Sequence, residues 1–207
     1  MRDNLITFIK AWLAGIFIAI GCNVYLMSES KYVGATLFSL GLMTILLFGF
    51  NLYTGKVGYA VQHSLDYIHQ LIIILLGNCL GCACIGLMFP SDLAQAICES
   101  KLQIPIGITL CKAIMCGILM FVAVDAYRQH KTLLPTIFCV AVFILSGYEH
   151  SIADVTYIIM GRTFTIKTLL FIATVIIGNT IGGMIVPLCN KIITKLTKQN
   201  EFRRIKL

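Results

Sequence analysis

The sequence predicts an all-α membrane protein that crosses the bilayer about six times. Hydrophobic residues make up 58% of its 207 positions and charged residues only 12%. The mean hydropathy is +0.91, well above that of ordinary soluble domains. Apolar runs suited to a hydrocarbon core of about 30 Å recur along the whole chain, so the prediction does not depend on one segment.

The predicted helices follow these runs in order, and two of them carry polar interruptions. The first run is too long for a typical signal peptide and belongs to a series, so we expect it to stay as a helix. Short connections predict a single channel domain over residues 1–207. The predicted helices are 11–27, 33–62 with a break near 51–55, 71–89, 104–125, 133–160 with a break near 148–152, and 168–190.

We interpret the basic residues behind the net charge of +7 as signals of membrane topology. With both termini in the cytoplasm, ten basic residues lie on the cytoplasmic side and four on the outer side, which satisfies the positive-inside rule. No basic soluble domain with aromatic platforms is present, so we expect no nucleic-acid partner. The cytoplasmic group is Arg2, Lys10, Arg128, Lys131, Lys191, Lys195, Lys198, Arg203, Arg204 and Lys206, and the outer group is Lys31, Lys101, Arg162 and Lys167.

The two halves of the chain repeat one pattern. The apolar runs ending at Gly49 and Gly147 are each followed by an aromatic and polar residues, and Gly77–Gly81 is echoed by Gly178–Gly182. Three crossings per half would invert the second half relative to the first, an arrangement that places a solute site where the halves meet. Polar backbone at that depth is tolerated only in protein or beside a wet cavity. Two broken helices are therefore expected beside a pathway, although helix ends misplaced by a few residues would give the same pattern.

Three ionisable residues, Glu149, His150 and Asp154, fall within six positions beside the second interruption. Ionisable residues at membrane depth are functional candidates. The alternative is that His150 only ties the interrupted helix together. Glu149 is interpreted as structural, satisfying backbone donors freed by the break, and Asn51 and Asp154 are placed at the breaks as well.

These stretches resemble the formate/nitrite transporter family. The second broken helix of that family carries Gly-aromatic-Glu-His-Ser-Ile-Ala-Asn, which is matched by Gly147–Asp154. The first broken helix carries Gly-x-x-Leu-Phe-Thr, which is similar to Gly49–Thr54. The last helix carries Gly-Asn-x-Ile-Gly-Gly, which is matched by Gly178–Gly183. The resemblance covers nearly the entire chain. It implies an aquaporin-like inverted repeat of six helices, with helices 2 and 5 broken, assembled as a homopentamer in the cell membrane.

The resemblance also implies the pore residues. His150 is the central residue and Thr54 its hydrogen-bonding partner, with one apolar constriction formed by Leu42, Leu52 and Tyr53 and another by Phe38 and Phe143. The family has an outer lysine sixteen positions before a pore-facing asparagine, and here that spacing joins Lys101 to Gly117. Lys101 is expected to raise the potential of the outer mouth, whereas the amide is lost at Gly117 and Asp154 replaces the last asparagine of the motif.

The predicted function is a channel or transporter for small monovalent anions such as formate, nitrite or hydrosulfide, with proton coupling through His150 as a hypothesis. An aquaporin-like pore for neutral solutes is the alternative, against which the absence of paired Asn-Pro-Ala motifs counts. A third hypothesis is a structural or assembly subunit with no transport activity of its own. We expect no enzyme, because only Ser151 beside His150 resembles a nucleophile with its base. No cofactor or metal is expected, because the nine cysteines lack zinc-like spacing.

Overall fold

The computed structural model describes the backbone of residues 2–205 and the side chains of residues 2–199. Lys206, counted above among the cytoplasmic basic residues, lies outside the described residues, as do the side chains of Arg203 and Arg204. Over the described backbone the fold is helical without strands, and a 3-10 helix, Val57–Gln62, follows the third helix. The α-helices are α1 (Arg2–Met27), α2 (Lys31–Phe48), α3 (Tyr53–Lys56), α4 (Leu65–Met88), α5 (Asp92–Lys101), α6 (Ile106–His130), α7 (Leu134–Leu145), α8 (Ser151–Met160) and α9 (Ile166–Ile205).

Among the described residues, five helices are long and apolar enough to cross a membrane: α1, α2, α4, α6 and α9. α7 and α8 are apolar but shorter, so a sixth crossing requires the two together. The long helices extend beyond the predicted runs, because polar residues at their ends continue the helix outside the apolar stretch. The all-α membrane fold is observed, whereas the count of six crossings stays a prediction.

Both halves are built on a closely packed pair of helices, α1 with α4 and α6 with α9. A Cβ on Gly81 would overlap the carbonyl oxygen of Trp12, and one on Gly182 would overlap that of Ile114. Small residues at such crossings let two backbones approach closely, which is the usual means of helix association in a bilayer. The Gly-Asn-x-x-Gly echo in the sequence therefore marks the same packing surface in each half.

The interruptions start where α2 and α7 end. Gly49 and Gly147 adopt left-handed conformations, with φ of 67° and 64°, which glycine enters without steric cost. The next residues, Phe50 and Tyr148, donate backbone hydrogen bonds of 2.9 Å to the carbonyls of Ile45 and Phe143, as in a glycine-terminated helix. Helix resumes at Tyr53 and Ser151, so both interruptions begin about two residues before the predicted breaks at 51–55 and 148–152.

α5 is missing from the predicted helices. It is short and mostly polar, and therefore gives no apolar run. Its start does have a local sequence signal, because serine is a favoured N-cap residue. In the structure Ser91 is the N-cap, and its Oγ accepts from the backbone N–H of Ala94 at 3.2 Å. α5 packs on α8 and places Lys101 beside the second interruption.

Candidate functional site

Asn78 on α4 holds the first interruption in place. Its Oδ1 accepts from the backbone N–H of Tyr53 at 2.8 Å, and its Nδ2 donates to the carbonyls of Asn51 and Ala11 at 2.8 and 2.7 Å. Tyr53 begins α3, so Asn78 satisfies a helix N–H that has no partner within its own helix. The side chain is fully buried, and it joins α1, α4 and the interruption.

Asn179 on α9 makes the same three bonds in the second half. Its Oδ1 accepts from the backbone N–H of Ser151 at 2.8 Å, and its Nδ2 donates to the carbonyls of Glu149 and Ala113 at 2.8 and 2.9 Å. The two interruptions are thus positioned by equivalent amides, and an unsatisfied backbone group at this depth would cost several kcal/mol.

Asn51 ties the first interruption to α1. Its backbone N–H donates to the carbonyl of Lys10 at 3.2 Å, and its Nδ2 donates to that of Thr7 at 3.4 Å. These bonds connect the first interruption to the N-terminal half of α1. They also fix the position of Leu52 and Tyr53, which follow directly.

Thr54 and His150 meet in the buried centre of the bundle. Thr54 Oγ1 lies 2.9 Å from His150 Nε2, and the two side chains are 0% and 2% exposed. The other ring nitrogen, Nδ1, accepts from the backbone N–H of Ala153 at 3.1 Å, which makes His150 the N-cap of α8. Because Nδ1 accepts a hydrogen bond, a neutral ring carries its hydrogen on Nε2 and donates it to Thr54.

Buried apolar side chains surround this pair. Phe143 stacks on the His150 ring with centroids 5.5 Å apart, and Phe38 meets Phe143 edge-on at 5.9 Å. Leu42 and Leu52 are also buried, at 1% and 2% exposure. The bundle centre therefore combines an apolar lining with the hydrogen-bonded pair of Thr54 and His150.

Two cavities flank the centre. The first, here called the Arg128 cavity, has a volume of about 350 Å³ and includes Leu42 and Leu52 in its lining together with Lys56 and Arg128. The second, the Lys101 cavity, has a volume of about 160 Å³ and includes Phe38, Phe143, His150, Lys101 and Asp154 in its lining. Leu42 and Leu52 thus lie on one cavity, and Phe38 and Phe143 on the other.

Tyr53 is placed differently from the residues predicted to share its constriction. Its hydroxyl lies 2.8 Å from Thr180 Oγ1 on α9, and the residues lining the Arg128 and Lys101 cavities do not include it. The ring therefore connects α3 to α9 rather than extending the apolar lining formed by Leu42 and Leu52.

Lys101 forms ion pairs with two carboxylates. Its Nζ lies 2.8 Å from Asp154 Oδ1 and also binds Glu149 Oε2. α5 lies outside the spanning helices, and although burial lowers the pKa of Lys101, Asp154 and Glu149 outweigh that effect and raise it above its ordinary value. Lys101 is therefore not a free positive charge at the mouth. The Glu149 carboxylate binds Lys101 instead of backbone donors, which corrects the role assigned from the sequence.

Gly117 is a packing residue, and its predicted place in the pore is wrong. A Cβ at this position would overlap the carbonyl oxygen of Asn179 and crowd the backbone of Gly183, so this face of α6 touches α9. Spacing from Lys101 along the chain does not determine which face of α6 a residue occupies. An asparagine at Gly117 has no room for its side chain.

Substitution of Gly117 by alanine is therefore expected to lower stability by about 1–3 kcal/mol, the usual range for overpacking. Gly107→Ala is the matched control on the same helix, because a Cβ there meets nothing within 4 Å. The check is the midpoint of thermal unfolding in detergent. A Gly117→Ala protein that melts with the wild type but carries a different set of solutes would restore the pore assignment.

Arg128 is a candidate site residue that the sequence analysis used only to assign membrane topology. Its guanidinium carbon lies 4.2 Å from the ring centroid of Tyr59, whose hydroxyl donates to Asp125 Oδ1 at 3.0 Å. Lys56 is close enough for its charge to interact with those of Arg128 and Lys10. Asp125 and Arg128 lie on α6, whereas Lys56 and Tyr59 follow the first interruption, so the group forms only when these two parts of the chain pack together.

The chain is similar to known membrane proteins over most of its length. A family model described as formate/nitrite transporter matches residues 2–192. The chain is 24% identical over 184 residues to the formate channel FocB of Escherichia coli (strain K12), covering 74% of this chain and 65% of FocB; it thus spans less than two thirds of FocB.

Two solved structures share the fold. One, described as an FNT family ion channel, has a TM-score of 0.80 and 20% identity and covers 89% of this chain and 88% of its own. The other, described as a pentameric formate channel with formate bound, has a TM-score of 0.76 and 21% identity, with 94% and 98% covered. These similarities confirm the predicted all-α membrane fold.

Proposed function

This chain belongs to the formate/nitrite transporter family, and from that premise we propose that it is a channel for small monovalent anions such as formate, nitrite or hydrosulfide. The family consists of transporters and channels, so the chain is a multi-pass membrane protein and not an enzyme. The observation that carries the proposal is the Thr54–His150 pair, enclosed by apolar side chains and flanked by two cavities. Residues 1–207 form one channel domain in this proposal.

The apolar lining sets the energetic problem that an anion must overcome. Moving a bare monovalent ion into a dry apolar site has an idealised cost of order 20 kcal/mol, which real sites reduce to several. Protonating a carboxylate with a reference pKa of about 4 costs only about 4 kcal/mol at pH 7. A neutral acid passing Phe38, Phe143, Leu42 and Leu52 is therefore the cheaper permeant.

His150 fits the role of a neutral hydrogen-bond donor at the centre. Its Nε2–H is shared with Thr54, so a permeating molecule can replace Thr54 as acceptor while the Nδ1 bond to Ala153 persists. Protonating Nδ1 would break that bond and uncap α8. Proton coupling through His150 remains part of the proposal. It would require the loss of the hydrogen bond by which His150 caps α8.

The Arg128 cavity supplies the attraction for anions in this proposal. Lys56 and Arg128 both line it, and the Arg128 charge is partly offset by Asp125 through Tyr59. Lining of one sign with apolar walls raises the local concentration of oppositely charged solutes. This attraction lies at the opposite cavity from the one where Lys101 was expected to provide it.

We extend the proposal to assembly and location. The pentameric formate channel named above has the same fold, and large apolar side chains such as Leu40, Phe48 and Leu76 are exposed on the single chain, as expected where lipid or neighbouring subunits cover them. The proposed state is a homopentamer in the cell membrane, with both termini cytoplasmic by the charge distribution.

Flux into liposomes containing the purified protein tests the proposed function. At each of two pH values, formate, nitrite and hydrosulfide are expected to enter faster than in protein-free liposomes, whereas lactate and glycerol serve as larger and neutral comparisons. Glycerol flux without anion flux would indicate the neutral pore. An absence of anion flux in every condition would contradict the proposal.

A further inference from the structure

The Lys101 cavity contains an imbalance of charge. Two carboxylates, Glu149 and Asp154, surround one ammonium group, that of Lys101. The carboxylate side chains are 1% and 2% exposed. With all three ionised the cluster carries one uncompensated negative charge, and a buried charge without a partner costs several kcal/mol. Such groups usually bind a proton and become neutral instead.

The position of that proton is indicated by the hydrogen bonds of Asp154. Its Oδ1 accepts from Lys101 at 2.8 Å, while its Oδ2 is buried and has no partner among the described residues. An ionised carboxylate oxygen without a donor is unfavourable, whereas a protonated Oδ2 becomes a hydrogen-bond donor. Asp154 also lines the Lys101 cavity together with His150, so a donor there lies on the route to the central pair.

The groups that face Asp154 leave it as the acid available to a permeating anion. Lys101 already donates to both carboxylates, and the His150 hydrogen on Nε2 is bound to Thr54. On α3 and α9 the side chains that bind the second interruption are Thr54, through His150, and Asn179, through the backbone of Ser151, and neither titrates. Among the described residues, the titratable side chains that interact with Asp154 are Cys22 on α1, Cys98 and Lys101 on α5, Cys116 on α6, Glu149 at the interruption and Tyr157 on α8. Those that line the same cavity also include Tyr25, Tyr148 and His150.

We propose that Asp154 carries a proton on Oδ2 and transfers it to an anion that enters the Lys101 cavity. The O–H bond of Asp154 breaks, a bond forms between that proton and the anion, and the neutral acid moves on past His150. Asp154 is left ionised and regains a proton from water at the cavity mouth. One proton thus moves with each anion. This assignment rests on the proposed anion channel and makes Asp154 its specificity-determining acid.

The dependence of flux on pH tests the assignment, using Asp154→Asn, which keeps the shape and a hydrogen-bond donor but cannot supply a proton. If the variant can carry only formic acid that has already formed in bulk water, its formate flux falls about tenfold for each pH unit above the reference carboxylic acid pKa of about 4. Wild-type flux stays level until Asp154 itself loses its proton. The ratio of variant to wild-type flux is therefore expected to fall about tenfold between pH of about 5 and about 6.

The matched control is Glu99→Gln on α5, which removes an exposed carboxylate that accepts a hydrogen bond from Gln95 and is expected to keep the wild-type profile. Infrared spectroscopy gives a second readout that does not require transport. The wild-type protein is expected to show the carbonyl band of a protonated carboxylic acid, and Asp154→Asn to lack it.

Equal pH slopes in wild type and Asp154→Asn, or a missing infrared band in the wild type, would overturn the role of Asp154. Wild-type protein without anion flux at any pH would instead overturn the proposed function. The two failures are therefore distinguishable.

Discussion

Replacement of His150 by phenylalanine is expected to reduce formate flux tenfold or more in liposomes. The change removes both hydrogen bonds of the ring, the one to Thr54 Oγ1 and the one from the backbone N–H of Ala153. Without the Nε2 donor a permeating molecule loses one hydrogen bond at the apolar centre, and about 1.4 kcal/mol of lost stabilisation corresponds to about tenfold in rate. Flux at a fixed pH, normalised to reconstituted protein, is the measurement.

His150→Asn separates the two roles of the ring. Asparagine is a good N-cap residue, so its side-chain oxygen retains the bond to the start of α8, whereas it is too short to reach Thr54 as the imidazole does. We expect this variant to melt close to the wild type and still to lose flux. If His150→Asn and His150→Phe both kept the wild-type flux and its pH dependence, the central role of His150 would be wrong.

Substitution of Asn179 by alanine is expected to cause a large loss of stability. Three buried backbone groups, the N–H of Ser151 and the carbonyls of Glu149 and Ala113, lose their partner at once. Each buried group left unsatisfied costs about 1–3 kcal/mol, so the sum is about 3 kcal/mol or more. The readouts are the midpoint of thermal unfolding in detergent and the yield of folded protein.

Asn190→Ala on α9 is the matched control for that loss, because the Asn190 side chain is exposed. Asn78→Ala is expected to behave like Asn179→Ala, because its amide makes the equivalent three bonds in the first half. Equal melting of Asn179→Ala and Asn190→Ala would show that the second interruption does not depend on this amide.

The interruptions show how far local sequence reasoning reaches. Gly49 and Gly147 occupy left-handed positions at the ends of apolar runs, and a helix end of this kind is encoded by a few consecutive residues. α5 escaped prediction because an apolar-run criterion cannot register a polar helix of ten residues. Asn78 and Asn179 hold both interruptions in place, and they occupy equivalent positions in the repeated Gly-Asn-x-x-Gly pattern.

The role of Gly117 and the partners of Lys101 could not be predicted from the local sequence. A spacing of sixteen residues from Lys101 to Gly117 does not determine which face of α6 meets α9, and the overlap at Asn179 is a contact between helices distant in sequence. Lys101 was expected to present a free charge, but α5 packs on α8 and brings it to Glu149 and Asp154. Charge neutralisation of this kind depends on three-dimensional distance alone.

Composition and local pattern were thus enough for the membrane class, the apolar helices and the two interruptions, because each depends on neighbours within a few residues. The pairing of Thr54 with His150 was implied only by resemblance, and its geometry comes from packing. The charge balance around Lys101, the close approach at Gly117 and the orientation of Tyr53 toward Thr180 required the folded bundle. Long-range contacts decide these features, since they depend on how helices are rotated against one another and not on periodicity within any one helix.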